Sequence, residues 1–275
     1  MIYPDFAHAI RGLKNDFTIV GRKVNTNNWQ GTDVSKKPDM QMVEMFNTSL
    51  TVPMSHLTLD HLREDIHPNL PWADDHFAER VCGEPLNPGE TWKTWPYALK
   101  ADGFRDEHGQ FNHNYMERYW PKFAGECWRH NGEMSAMREP AQRGIRSTYG
   151  DLDDVMRLLV HDPYTRQAYL PVWFPEDTGI GDGGRKPCTL GYHFMMRNDR
   201  LHITYYIRSC DFIRHFRDDI YLTARLNLWM LDQLKEFGEH SPVWQNVQPG
   251  MFVMHIASLH MFVNDYHQCF GEAPR

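Results

Sequence analysis

Apolar positions recur at helical spacing in three stretches of the chain. In DLDDVMRLLVHDP (151–163), Leu152, Val155, Leu158 and Leu159 fall at i, i+3, i+6 and i+7, and Pro163 closes the run, which predicts an amphipathic helix. DDIYLTARLNLWMLDQLKEF (218–237) opens with two acidic residues that suit a helix N-terminus and carries Ile220, Leu222, Leu226, Trp229, Met230 and Leu234 as its apolar positions. WADDHFAERV (72–81) has the same form on a shorter scale before GEPLNPGE breaks it. Alternation takes over further on. Leu201, Ile203, Tyr205 and Ile207 alternate with His202, Thr204 and Tyr206, and TLGYHFMM precedes them, so the intervening RND predicts a hairpin turning at Asn198 and Asp199. QAYLPVWF (167–174) reads as a short strand, and Gly179 to Gly184 as a glycine-rich turn. Helices and strands mix without a βαβ rhythm, which predicts an α+β fold in a single domain over 1–275. Residues 1–70 and 101–148 carry the weakest patterns: NTNNWQGTDVSKKPD (25–39) reads as a loop, and 101–148 as a loop-rich insertion.

Composition narrows the class of protein. At 41% hydrophobic and 13% aromatic residues, 275 residues can bury a sizeable core. No apolar run approaches the roughly 18 residues of a membrane span, and MIYPDFAHAIRGLK lacks the features of a signal peptide, so a cytoplasmic protein without membrane contact is expected. A formal net charge of −7 argues against direct nucleic-acid binding through a broad basic face, though a mononucleotide needs only a local basic pocket. The five cysteines are odd in number, widely spaced and free of CxxC pairs. They suggest neither a disulfide framework nor a metal site, and leave room for a working thiol.

Cys188 is the candidate. It stands in RKPCTLGYHF, after the glycine-rich turn and beside Arg185 and Lys186, cations that favour a thiolate. Taken alone, a cysteine entering a strand is most often a small core residue. What changes its reading is Arg208-Ser209-Cys210-Asp211, twenty residues after Pro187-Cys188. The pairing of a Pro-Cys with an Arg-Ser-x-Asp at this distance resembles the thymidylate synthase family, and it needs no gap. Upstream, Asp162-Pro163-Tyr164-Thr165-Arg166 resembles the family segment that reaches the partner subunit's phosphate, with Gln167 where a second Arg is usual. Downstream, Ser258-Leu259-His260 resembles the segment that meets the sugar, with Phe262 where a Tyr is usual. Tyr149-Gly150 and Trp92-x-x-Trp95 look like further family landmarks, and Glu79 is the candidate carboxylate for moving protons around the base.

The resemblance implies a thymidylate synthase-like fold, with a large twisted mixed sheet and packed helices, and a homodimer in which Arg166 crosses to the partner's site. It implies 5,10-methylenetetrahydrofolate as one-carbon donor, held by Asp211, Trp92 and Trp95. Cys188 would add to C6 of a pyrimidine so that C5 becomes nucleophilic. Arg208, Ser209, Arg166, His260 and Tyr149 would hold the nucleotide. Eleven residues after Arg208 the synthases carry Asn, and this chain carries Asp219. A carboxylate accepts from the N4 amino group of cytosine and stabilises protonated N3, and Phe216-Arg217-x-Asp219 resembles the phage deoxycytidylate hydroxymethylases. Of the adjacent pair, Asp218 is assigned to the helix start and Asp219 to the base. The expected substrate is therefore dCMP or CMP. Trp92 favours a methyl product, whereas the chain's end fifteen residues after His260 favours water entry and a hydroxymethyl product. Hydroxymethylation is the leading expectation. A reductive dCMP methyltransferase and a non-catalytic nucleotide-binding relative are the alternatives.

Overall fold

A computed structural model describes residues 1–29, 32–97, 103, 105–121, 129–130, 133–134, 150–179, 185–237 and 242–271. Six strands form one sheet: β1 (Arg22–Val24), β2 (Met42–Pro53), β3 (Tyr169–Pro171), β4 (Thr189–Arg197), β5 (Arg200–Asp211) and β6 (Gln248–Phe262). Their order is β1-β2-β6-β5-β4-β3, antiparallel throughout except for the central β5 and β6, which run parallel. A parallel pair needs a crossover, and the long helix α6 (Phe216–Glu236) supplies it between β5 and β6. The remaining helices among the described residues are α1 (Phe6–Val20), α2 (Leu59–Ile66), α3 (Trp72–Arg80), α4 (Tyr115–Tyr119), α5 (Leu152–His161) and α7 (Val263–Phe270). The expected α+β mixed sheet is present. No helix among the described residues is long and apolar enough to cross a membrane.

The local rules behind these elements are visible in the coordinates. Leu201, Ile203, Tyr205 and Ile207 are buried on one face of β5, and Asn198 and Asp199 both take positive φ, 51° and 54°, the twist a two-residue hairpin turn requires. α5 is capped reciprocally: Asp151 Oδ1 accepts from Asp154 N at 3.0 Å, and Asp154 Oδ2 from Asp151 N at 2.9 Å. α6 buries Ile220, Leu226, Met230 and Leu234 completely. Its first turn starts at Phe216, two residues before the acidic pair. The strand expected over 167–174 is only three residues long, because beyond Pro171 the amides of Val172 and Trp173 both turn to Leu190 O (2.9 and 3.1 Å), which ends regular pairing.

The stretch 101–148 is not all loop where it is described. It contributes α4, held by a buried ion pair in which Arg118 grips Asp177 bidentately at 2.6 and 3.0 Å. Asp177 also accepts from Phe174 N at 2.8 Å, and Trp120 Nε1 donates to Arg80 O at 3.0 Å. These contacts pin α4 against both the β3–β4 connection and the end of α3. In the glycine-rich turn, Gly179 has φ +105°, and 180–184 lie outside the described residues.

Candidate active site

The ends of β5 and β6, the residue before β4 and the start of α6 converge on one cavity of about 720 Å³, a size usual for small-molecule sites. Cys188 lies in its wall, and the carbonyl of Cys188 accepts from Arg208 N at 2.9 Å, which ties the thiol to β5. The Arg208 side chain donates to Pro187 O (2.9 Å) and Lys186 O (3.0 Å), and its guanidinium lies 5.5 Å over the Trp173 ring. A cation is therefore fixed against the loop that carries the thiol. Burial pushes the Cys188 thiol up, Arg208 and Arg185 pull it down, and Asp219 pushes it up again. Whatever offsets the charge of Asp219 thus favours the thiolate.

Asp219 faces this cavity, and Cys210 Sγ lies 3.4 Å from its Oδ2 as the donor. Burial raises the Asp219 carboxyl to about 7, and nearby Arg80 works against that rise. Its neighbour Asp218 behaves differently. Both line the cavity, but Asp218 accepts from Asn69 N at 2.9 Å and Asn69 Nδ2 at 2.7 Å, so its carboxylate is tied up as a structural clamp.

Most of the expected residues meet here: Cys188, Arg208, Ser209, Asp211, Asp219, His260, Trp92 and Trp95 all line the cavity. Asp211 also does structural work, accepting from Ile213 N and Arg214 N at 2.9 Å each and from Arg214 Nη1 at 3.2 Å. Glu79 and Arg166 are not in the wall. On α3 the cavity-facing positions are Trp72, His76 and Arg80, spaced by four, and Glu79 projects from an adjacent face. Its carboxylate accepts from Thr91 N at 2.9 Å and from the Thr91 hydroxyl. Burial pushes Glu79 up, but His76, 3.9 Å away, and the Thr91 bonds outweigh that and hold it low. Arg166 is exposed, and Tyr149 lies outside the described residues.

Sequence reasoning missed three residues in this wall. Tyr115 is enclosed beside Cys188 and Asp219, accepts from Thr189 Oγ1 at 3.3 Å, and has the Arg80 guanidinium 4.3 Å over its ring. Burial pushes its phenol up to about 12, so it stays protonated. Arg80 Nε donates to His76 Nε2 at 3.0 Å, which places the ring proton on Nδ1, 3.2 Å from Thr91 Oγ1. Burial lowers His76 to about 4, and the ring is neutral. A hydrogen-bonded line thus runs from Arg80 through His76 and Thr91 to Glu79.

Residues 86–272, well over half of the chain, match the family model described as thymidylate synthase. The chain belongs to the thymidylate synthase family. Among curated proteins it resembles the deoxyuridylate hydroxymethyltransferase of Bacillus phage SP01, 30% identical over 130 residues, which are 47% of this chain and 31% of that protein. The chain therefore aligns with only about a third of that relative's length. Among solved structures it resembles the thermostable thymidylate synthase A from Bacillus subtilis, with a TM-score of 0.62 over 98% of this chain and 86% of that one, at 14% identity. That likeness is one of fold. The thymidylate synthase match runs through 101–121, so Phe111 and Tyr115, which line the cavity, fall within the matched span.

Proposed function

We propose that this thymidylate synthase family member transfers a one-carbon unit from 5,10-methylenetetrahydrofolate to C5 of a cytosine nucleotide, giving the 5-hydroxymethyl product. The observation that carries the choice of base is Asp219, a carboxyl at a neutral pKa facing the same cavity as the thiol. Cytosine offers an amino donor at N4 and an acceptor at N3. A carboxyl sharing one proton with N3 satisfies both, and protonation at N3 draws electrons from C6, where Cys188 adds.

In this reading the Cys188 sulfur bonds to C6 and C5 gains the electron pair that attacks the one-carbon unit. Arg208, with Lys186 beside it, holds the phosphate end. The C5 proton must then leave, and Tyr115, a protonated hydroxyl enclosed beside Cys188 and Asp219, is placed to relay it, taking up the C5 proton as its own moves on to a base in the cavity such as ionised Asp219. The wall fits a folate. Trp95 stacks on His215 (5.6 Å, 15°) and Trp72 on His76 (4.8 Å, 14°), two aromatic stacks in the wall of the kind a pteridine packs against. Bound methylenetetrahydrofolate supplies the carbon at formaldehyde oxidation level. The hydroxymethyl outcome is supported by the phage relative, whose own name records hydroxymethyl transfer.

A homodimer belongs to the same reading. Arg166 is exposed near the sheet edge, and the sheet face away from the core carries the rings of Tyr169, Tyr206 and His255, with Tyr206 and His255 stacked at 5.4 Å. A second copy covering this face would bring Arg166 toward the partner's phosphate site.

A second reading, with a uracil nucleotide as substrate, draws on the phage relative's deoxyuridylate and on the neutral form of Asp219, which can donate to O4. Incubation with methylenetetrahydrofolate and each of dCMP, CMP and dUMP, with mass spectrometry of the nucleotide, tests both. A hydroxymethyl mass gain on a cytosine nucleotide is expected. Gain on dUMP alone overturns the cytosine reading.

A further inference from the structure

Ser258 and His260 of β6 share their cavity with an acidic residue that lies outside every motif quoted above. Glu44, on β2, stands opposite His260 in the cross-strand register, and His260 stands opposite Asp211 on its other side. The Ser258 hydroxyl donates to Glu44 Oε1, and His260 Nδ1 lies 3.5 Å from the same Ser258 oxygen. All three line the cavity. Burial keeps His260 below its ordinary value and neutral.

The donors and acceptors of this cluster are unbalanced. Ser258 has one hydroxyl proton, and it is directed to Glu44. What remains toward the cavity is the lone-pair capacity of a half-buried carboxylate. Two residues further along β6, Phe262 adds no polar atom; its ring meets that of Trp29, a wall residue, edge-on at 5.2 Å. The complement of such a cluster is a group with hydroxyl donors, and more than one of them.

The position identifies which part of a nucleotide would supply them. With C6 at Cys188 and the N3/N4 edge at Asp219, N1 and its sugar point away from Asp219 and along the sheet. Ser258 lies two strands from the strand that Cys188 leads into, roughly 10 Å at the usual strand spacing, with Arg208 and Ser209 on the strand between. A nucleoside bridging that span brings its sugar to Ser258 and Glu44. A carboxylate accepting from ribose hydroxyls is a device known from dinucleotide sites.

We propose that Glu44, supported by Ser258 and His260, reads the sugar, its carboxylate accepting from the 2′- and 3′-hydroxyls, so that the preferred substrate is a ribonucleotide, CMP over dCMP. This rests on the nucleotide reading of the cavity given above. A deoxyribose presents one hydroxyl to Glu44, and the lost charge-assisted bond lowers affinity by about tenfold or more.

The test is isothermal titration calorimetry of the full chain with CMP, dCMP, UMP and dUMP, repeated for Glu44→Gln and Glu44→Ala. Wild type is expected to bind CMP about tenfold or more tighter than dCMP. In Glu44→Ala that ratio falls to near unity, while the ratio of CMP to UMP, set by Asp219, holds. Glu44→Gln falls between, because the amide oxygen still accepts from one hydroxyl. Wild type binding dCMP as tightly as CMP, or a ribose preference that survives in Glu44→Ala, overturns the role of Glu44. Either result leaves the base reading standing if cytosine still exceeds uracil. Failure of all four nucleotides to bind overturns the reading of the cavity and this inference with it. The wild-type ratio alone decides the sugar preference should a variant not fold.

Discussion

If Asp219 titrates near neutrality, the choice between cytosine and uracil depends on pH, and the sense of that dependence can be worked out. A carboxyl at about 7 is about 90% protonated at pH 6 and about 10% at pH 8. Uracil carries a proton on N3 and an acceptor at O4, so Asp219 must itself hold a proton to donate to O4. Turnover of dUMP should therefore fall about ninefold in kcat/KM from pH 6 to pH 8. In the cytosine complex the proton lies between the carboxylate and N3, and the basicity of the ring helps retain it, so cytosine turnover falls later. The ratio of kcat/KM for dCMP over dUMP thus rises across this interval by a factor approaching the same ninefold. Asp219→Asn removes the titration. Its amide can dock against either base but has no proton to transfer to N3, so cytosine turnover should drop by about two to four orders of magnitude while uracil turnover persists with a flat profile. Steady-state rates with both nucleotides at pH 6, 7 and 8 decide the matter. A wild-type dUMP profile that is flat, or an Asn variant that keeps both dCMP turnover and its pH dependence, refutes the assignment of Asp219.

Cys188→Ala should bind nucleotide yet fail to exchange the C5 hydrogen for deuterium; exchange by the variant, read by NMR, excludes Cys188 as the nucleophile. Tyr115→Phe should retain nucleotide affinity and lose turnover by about two orders of magnitude or more; equal loss in binding and rate would make Tyr115 a packing residue. Asp177→Ala should cost about 3–5 kcal/mol in urea unfolding because it strands a buried guanidinium, and the Arg118→Met/Asp177→Leu double variant should recover most of it. Asp219→Asn should also stabilise the empty protein. The native carboxyl keeps its proton from its ordinary value of 3.8 up to about 7 while the unfolded one ionises, so wild-type stability is full below pH 4 and declines as pH rises to 7. Thermal melts should show no gain for the variant near pH 4 and a gain of at most about 4 kcal/mol at pH 8.

How much of this could be read from the chain depends on how local the determinants are. The β4–β5 hairpin was legible because alternation and an Asn-Asp turn are encoded within a few residues. Cys188, Arg208 and Asp219 were legible as a set because they sit on consecutive elements whose spacing tolerates no insertion. The family resemblance points to Glu79 as the carboxylate, while helix phase puts His76 on the same face as Trp72 and Arg80 in the cavity wall. Tyr115 had no local signal. α4 is five residues long, and what fixes it is an ion pair between residues 59 apart in sequence, which no window of periodicity contains.

The clamp between Asn69 and Asp218 also sets the rotational phase of α6. One residue along a helix is a rotation of about 100°, so a slip of the first turn would exchange which carboxylate is presented to the base. Asp218, which also reaches the cavity wall, is a natural competitor for that place, and two hydrogen bonds from a residue 149 positions away tie up its carboxylate. Selectivity for the base is then partly stored at a residue outside the cavity wall. Loss of the Asn69 side chain would blur substrate choice without altering any group that touches the nucleotide.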